Sequence, residues 1–176
     1  MVIDNNISWA AIAAIAVFVL SKMYELIYGI IRFTREKRRF IQALYGEINF
    51  HLFLYSKTVS ASGSEENVRR MCEKEDYEPY YAFNFQNSVF KSTQQLLSYI
   101  SHLYIPELMK FYGYMEGITV QIDSTKNKSF TFLDVDQKMN VMRKLRKDLF
   151  ELVATGHVLA EKMRKTHDSY HLRDIQ

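Results

Sequence analysis

From Ile7 to Leu20 the chain is apolar on every side of a helix apart from Ser8. Apolar character resumes after Ser21 and Lys22 through Met23, Tyr24, Leu26, Ile27, Tyr28, Ile30 and Ile31. A soluble amphipathic helix would show a polar face. The pattern predicts a membrane-spanning helix over Ile7–Ile31, roughly 37 Å long at about 1.5 Å per residue, against a hydrocarbon core of about 30 Å. Asp4, Asn5 and Asn6 offer capping side chains for its first turn, and Trp9 sits at interface depth.

Further along, the pattern changes from uniformly apolar to a single stripe. Ile41, Tyr45, Ile48, Leu52, Tyr55 and Val59 alternate spacings of four and three, the period of a helix burying one seam. No Gly or Pro falls between Ile31 and Tyr45, so span and seam are expected to form one continuous helix, ended by Ser60-Ala61-Ser62-Gly63. Ser64-Glu65-Glu66 opens a short helix to about Glu75, with acids where the helix dipole favours them. Asp76 to Gln86 reads as an aromatic loop around Pro79. Asn87 to Ile100 reads as helix, with a break near Ser92 as the alternative, burying Val89, Phe90, Leu96, Leu97 and Ile100.

After a turn at Ser101 to Tyr104, Pro106 and Glu107 suit the start of a further helix. It carries Leu108, Phe111, Tyr112, Met115 and Ile118 along one side and ends near Ile122. Asp123 to Lys128 is polar enough to be a surface loop. The flanking runs Thr119-Val120-Gln121-Ile122 and Phe130-Thr131-Phe132-Leu133 leave a small hairpin open as the alternative. Asp134 or Asp136 caps a last long helix, Gln137 to about Lys165, whose stripe Met142, Leu145, Leu149, Leu152, Gly156, Leu159, Met163 again steps by three and four. It matches the seam of the Phe40–Val59 helix, and Gly156 would allow close approach. The tail from Thr166 is polar and is expected to fray.

The fold class expected is therefore all-α: one N-terminal transmembrane helix continuing into a cytoplasmic antiparallel helical bundle of about four helices. Residues 1–31 form the anchor, 32–39 a basic juxtamembrane segment, 40–165 the bundle and 166–176 a polar tail.

Charge gives the orientation. No basic side chain precedes the span, whereas Arg32, Arg35, Lys37, Arg38 and Arg39 follow it with Glu36 the only acid among them. The positive-inside rule then places the N-terminus outside and the rest in the cytoplasm, at the inner (cell) membrane. A cleaved secretory signal would need a basic n-region and a small-residue cleavage site, and neither stands out. The overall charge of +3 over 176 residues is too small to imply nucleic acid as a partner. Its local excess after the span suits anionic lipid headgroups instead. Cys72 is the single cysteine, which fits a reducing compartment, and 12 Tyr with 12 Phe argue against disorder.

Three segments together, namely Ala43-Leu44-Tyr45-Gly46-Glu47-Ile48 after the basic run, Val89-Phe90 with Leu96 and Ile100, and Ile105-Pro106-Glu107-Leu108 with Phe111-Tyr112, carry a resemblance. They resemble a loose family of small bacterial and prophage single-pass membrane proteins with a cytoplasmic helical domain. The resemblance implies no activity, cofactor or site.

Candidate chemistry is sparse. Lys22 and Glu25 lie three apart on one helix face, where they could pair; either Lys22 snorkels to the cytoplasmic headgroups, or the two make a buried polar contact between copies of the helix or with a partner. Glu47 with His51, and His157 with Glu161, would bring two carboxylates and two imidazoles together if their helices are antiparallel. Dimetal sites in bundles use Glu-x-x-His, however, and both pairs here are separated by four. His167, Asp168 and His171 fall in the tail, and no nucleophile motif or phosphate-cradling glycine loop occurs. No catalytic residue, metal or cofactor is expected.

Lys138, Arg143, Lys144, Arg146 and Lys147 read as a solvated face, with acidic lipid as the alternative contact. Tyr77, Tyr80, Tyr81, Phe83 and Phe85 are the first choice for a protein contact, because aromatic side chains are enriched at interface centres. The function expected is that of a noncatalytic membrane-anchored interaction or scaffold protein whose bundle binds a partner or self-associates. The alternative is an oligomerising membrane effector of a phage-defence or phage-exclusion system.

Overall fold

The computed structural model describes residues 5–61, 63–74, 77, 79, 88–91 and 99–172. Among them lie six α-helices: α1 Asn5–Ala61, α2 Glu65–Cys72, α3 Ser88–Lys91, α4 Ile105–Thr125, α5 Lys128–Thr131 and α6 Val135–Thr166, followed by a 3-10 turn at Asp168–Tyr170. No strand occurs among the described residues. The chain divides into two compact units, Met1–Phe40 and Ile41–Gln176.

In the first unit α1 presents its apolar side chains without cover: from Trp9 to Ile31 every side chain is exposed. An eighteen-residue window of this helix has a mean hydropathy of 1.9 with none of it buried, so α1 is long and apolar enough to cross a membrane. Three and four positions apart, the polar side chains pair along the helix, Lys22 with Glu25 at 2.8 Å and Arg32 with Glu36 at 2.8 Å.

In the second unit the same helix behaves differently, because its residues now alternate in polarity. Ile41, Leu44, Tyr45, Ile48, Leu52 and Tyr55 are buried, and α4 and α6 supply the facing side chains. From α4 these are Leu108, Phe111, Tyr112, Met115, Ile118 and Ile122; from α6 they include Leu145, Leu149, Leu152, Leu159 and Met163. Lys162 reaches Glu107 at 2.6 Å, and Gln121 donates to Asp148 at 2.6 Å, so α4 and α6 run antiparallel.

Gly156 is where the helices come closest. A Cβ there would sit 2.5 Å from Leu52 Cδ2 and 2.7 Å from Phe111 Cε2, so hydrogen is the only substituent the three-helix contact admits without movement.

Helix ends follow their local chemistry. Asp134, not Asp136, caps α6: its carboxylate accepts from Gln137 N at 2.7 Å while Gln137 Oε1 accepts from Asp134 N at 3.2 Å, a reciprocal capping box. At α2, Ser64 Oγ accepts from Asn67 N at 3.3 Å.

Several expectations need correction. The stretch from Asp123 is no loop at first, since α4 continues to Thr125, and Lys128–Thr131 is a helical turn, so the hairpin is absent from described residues 119–133. Ile118 and Ile122 extend the buried stripe of α4 at helical spacing, and that packing outweighs the β-branched composition. The polar tail does not fray as far as Tyr170, because His167 is buried and the 3-10 turn follows it. Lys138 is only 4% exposed and leaves the solvated face on which it was expected. Met142 and Val59, expected in the seams, are half-buried.

Candidate functional site

The expected contact residues separate into those the structure describes and those it does not. Tyr80, Tyr81, Phe83 and Phe85 lie outside the described residues, as do Leu96 and Leu97. Tyr77 is half-buried beside Cys72; burial raises its phenol above the ordinary value, with Cys72 adding to the shift. Cys72 itself is buried, and burial pushes its thiol up against the opposing influence of Lys138. Trp9, Lys22 and Glu25 are exposed on α1, as are Arg32, Arg35, Arg38 and Arg39, while Lys37 is half-buried.

The four residues weighed as a dimetal set do not converge. His51 is buried and stacks on Tyr55 with ring centroids 5.8 Å apart, whereas His157 is exposed and Glu161 pairs along α6 with Lys165 at 2.7 Å. Among the described residues no group of three or more His, Cys, Asp or Glu could hold a metal ion.

Glu47 has a different role, which its own helix does not reveal. Its carboxylate accepts from Val89 N at 2.8 Å, from Phe90 N at 3.4 Å and from Tyr112 Oη at 2.5 Å. Phe90 in turn stacks on Tyr112 with centroids 3.8 Å apart and planes 7° from parallel. One carboxylate thus fastens α3 to both α1 and α4, and burial followed by the Glu47 bond drives the Tyr112 phenol far up. The partners come from positions 42 to 65 residues later, so no spacing around Glu47 could have announced them.

Elsewhere in the second unit His167 Nε2 lies 3.0 Å from Tyr104 Oη, and the imidazole stacks on Tyr170 at 4.9 Å. Burial pushes the Tyr104 phenol up to about 12. The Tyr170 carbonyl accepts from Gln42 Nε2 at 2.9 Å, tying the turn after α6 to α1. Nearby, the hydrogen bond from Lys162 holds the Glu107 carboxyl below the usual carboxylate range.

A cleft of about 730 Å³ opens between the end of α1, α2 and the first half of α6. Val68 and Met71 of α2 face Met139, Met142, Leu145 and Leu149 of α6 across it, with Tyr77 and Pro79 also at its wall. Arg143, Arg146 and Lys147 bring three cations to its lining and Glu65 and Glu151 two carboxylates. Arg143 Nε donates to Glu65 at 2.8 Å, and the Arg146 guanidinium lies 5.8 Å from the Phe150 ring centroid. Lys147 makes no ion pair or hydrogen bond among the described residues.

No protein-family model, curated protein or solved structure matches this chain. The resemblance carried by Ala43–Ile48, Val89-Phe90 and Ile105–Tyr112 therefore rests on those residues alone, and the geometry has to carry any functional reading. Among the described residues that geometry offers a bare apolar helix, a carboxylate-fastened core and an apolar cleft with a cationic lining. The apolar lining of the cleft was missed because Met142 and Leu149 also fit the core stripe of α6, and periodicity does not separate a buried wall from a half-open one.

Proposed function

We propose that the chain is a noncatalytic, single-pass membrane-anchored interaction protein, with α1 crossing the inner membrane from an outside N-terminus and residues 40–165 forming a cytoplasmic helical bundle that binds a protein partner or further copies. The observation that carries the reading is the contrast within one helix. The buried residues of α1 lie on its later part, Phe40 to Tyr55, while the window of mean hydropathy 1.9 has no burial at all. A core helix of a soluble protein would be mostly covered, and leaving so many large apolar side chains in water opposes the hydrophobic effect. The orientation follows from Arg32, Arg35, Lys37, Arg38 and Arg39 on the C-terminal flank, which suit an anionic inner leaflet.

Lys22 and Glu25 pair along α1 with both side chains more than half exposed, an arrangement compatible with snorkelling to the headgroups. The resemblance to small bacterial and prophage membrane proteins agrees with this reading and adds no activity to it.

The test combines topology and mass. Membranes from cells expressing the full chain are washed with alkaline carbonate, and a C-terminal epitope is probed with protease in intact spheroplasts and in inverted vesicles. Retention in the pellet, an intact mass that includes residues 1–31, and cleavage only in inverted vesicles are expected. Release by carbonate or loss of the first 31 residues would remove the anchor, and cleavage in spheroplasts would reverse the orientation. Native mass spectrometry of the gently extracted complex should then give a defined homo-oligomer or a stoichiometric second protein; a bare monomer would sink the interaction role.

A further inference from the structure

We infer that the cleft between α2 and α6 is a binding site for a long-chain lipid anion, one acyl chain lying against the methionine-rich wall and its anionic head meeting Arg146 and Lys147. The volume of about 730 Å³ falls within the range of roughly 300–1,000 Å³ typical of small-ligand sites, and is larger than a packing defect in a close-packed core. Met71, Met139 and Met142 are unbranched and polarisable, so they adapt to a flexible chain better than a β-branched wall would.

Charge selects the head. Of the ionic groups at the lining, Arg143 and Glu65 satisfy each other, which leaves Arg146 and Lys147 against Glu151. Lys147 without an ion pair on an apolar wall favours an anion over a neutral amphiphile. All of these residues lie between 58 and 151, inside the second unit, so the inference goes beyond the anchored reading and does not need α1 to cross a bilayer.

The experiment uses the full chain in phosphatidylcholine vesicles with palmitate carrying a photoreactive diazirine near its methyl end, and adducts are located by peptide mass spectrometry. Labelling of peptides containing Val68–Met71 and Met139–Leu149 is expected. Unlabelled palmitate should compete about tenfold better than hexadecanol, the order of effect of one charge-assisted hydrogen bond. Lys147→Glu combined with Arg146→Glu should abolish the advantage of palmitate over hexadecanol, and Met142→Trp should block both, with each variant checked for an unchanged thermal transition. Palmitate competing alone identifies a free fatty acid as the source; phosphatidylglycerol added to the vesicles and competing as well identifies a bilayer phospholipid. Equal competition by hexadecanol overturns the proposal, and so do adducts confined to residues 9–31, a result that would leave the anchored reading standing. Cleft adducts on a chain that carbonate releases would do the reverse.

Discussion

Replacing Gly156 by alanine tests the three-helix contact directly, because helix propensity and packing push the result in opposite directions. In an exposed helix interior, Gly→Ala stabilises by about 0.5–1 kcal/mol. At Gly156 the new methyl would meet Leu52 Cδ2 at 2.5 Å and Phe111 Cε2 at 2.7 Å, and neither neighbour has room to retreat, being 4% and 0% exposed. Forcing an extra methyl into such a site costs about 1–3 kcal/mol. Packing should win, with a net destabilisation of about 1–2 kcal/mol, or a fall in Tm of several degrees.

Gly117 is the control: it lies in α4 with nothing within 4 Å of a Cβ, so Gly117→Ala should raise Tm instead. The assay is thermal unfolding of the full chain in detergent, followed by near-UV circular dichroism of the buried tyrosines, since Trp9 lies on the exposed part of α1 and reports little on the core. A Leu52→Ala background removes the closer neighbour, and there the cost of Gly156→Ala should shrink by about 1 kcal/mol. If Gly156→Ala and Gly117→Ala shift Tm in the same upward direction, the close approach of α1, α4 and α6 is refuted.

Glu47→Ala should cost about 2–4 kcal/mol, since it strands the Tyr112 hydroxyl and two amides at once, and hydrogen exchange at Val89 and Phe90 should rise by more than the global destabilisation accounts for. Asp134→Ala should lower stability by about 1 kcal/mol through loss of the capping box, while Asp136→Ala, which loses an exposed ion pair with Arg69 and a first-turn charge but no cap, should lower it by less in urea unfolding. Glu107 contributes stability above the ordinary carboxylate pKa and loses it as pH falls through its depressed folded value. The acid limb of a stability-against-pH curve should therefore flatten in Glu107→Gln, by no more than about 0.5–1 kcal/mol given that the Glu107 side chain is 22% and that of Lys162 44% exposed.

The parts of the fold that repeat at a helical period were legible in the chain itself. Ile41, Tyr45, Ile48, Leu52 and Tyr55 are buried as their spacing required, and so are Leu145, Leu149, Leu152, Leu159 and Met163, with Gly156 at the close contact. Asp134 and Asp136 were both candidate caps, and the residue that separates them, Gln137 three positions after Asp134, was already in the chain: Gln137 N donates to the Asp134 carboxylate and Asp134 N donates to Gln137 Oε1. What escaped depends on distant partners. Glu47 looks like an ordinary residue beside a stripe until residues 89, 90 and 112 arrive, and His167 looks like part of a polar tail until Tyr104 covers it. Thr119-Val120-Gln121-Ile122 left a hairpin open as the alternative through composition, and the buried helical stripe decides for the helix.

The bond between Gln42 and the Tyr170 carbonyl joins residues 128 apart, and it sets a clock on synthesis. At about 5–20 residues per second, roughly 6–25 s separate the appearance of Gln42 from that of its partner. Helix-rich domains close far faster than that once complete. Translation therefore sets the pace, and for those seconds the seam from Ile41 to Tyr55 is a finished apolar ridge without its permanent mate α6. A nascent chain held in that state needs a temporary cover for the ridge, from a chaperone or a bilayer surface, and slowing elongation within the codons of α6 should lengthen its exposure and raise the fraction lost to aggregation or proteolysis.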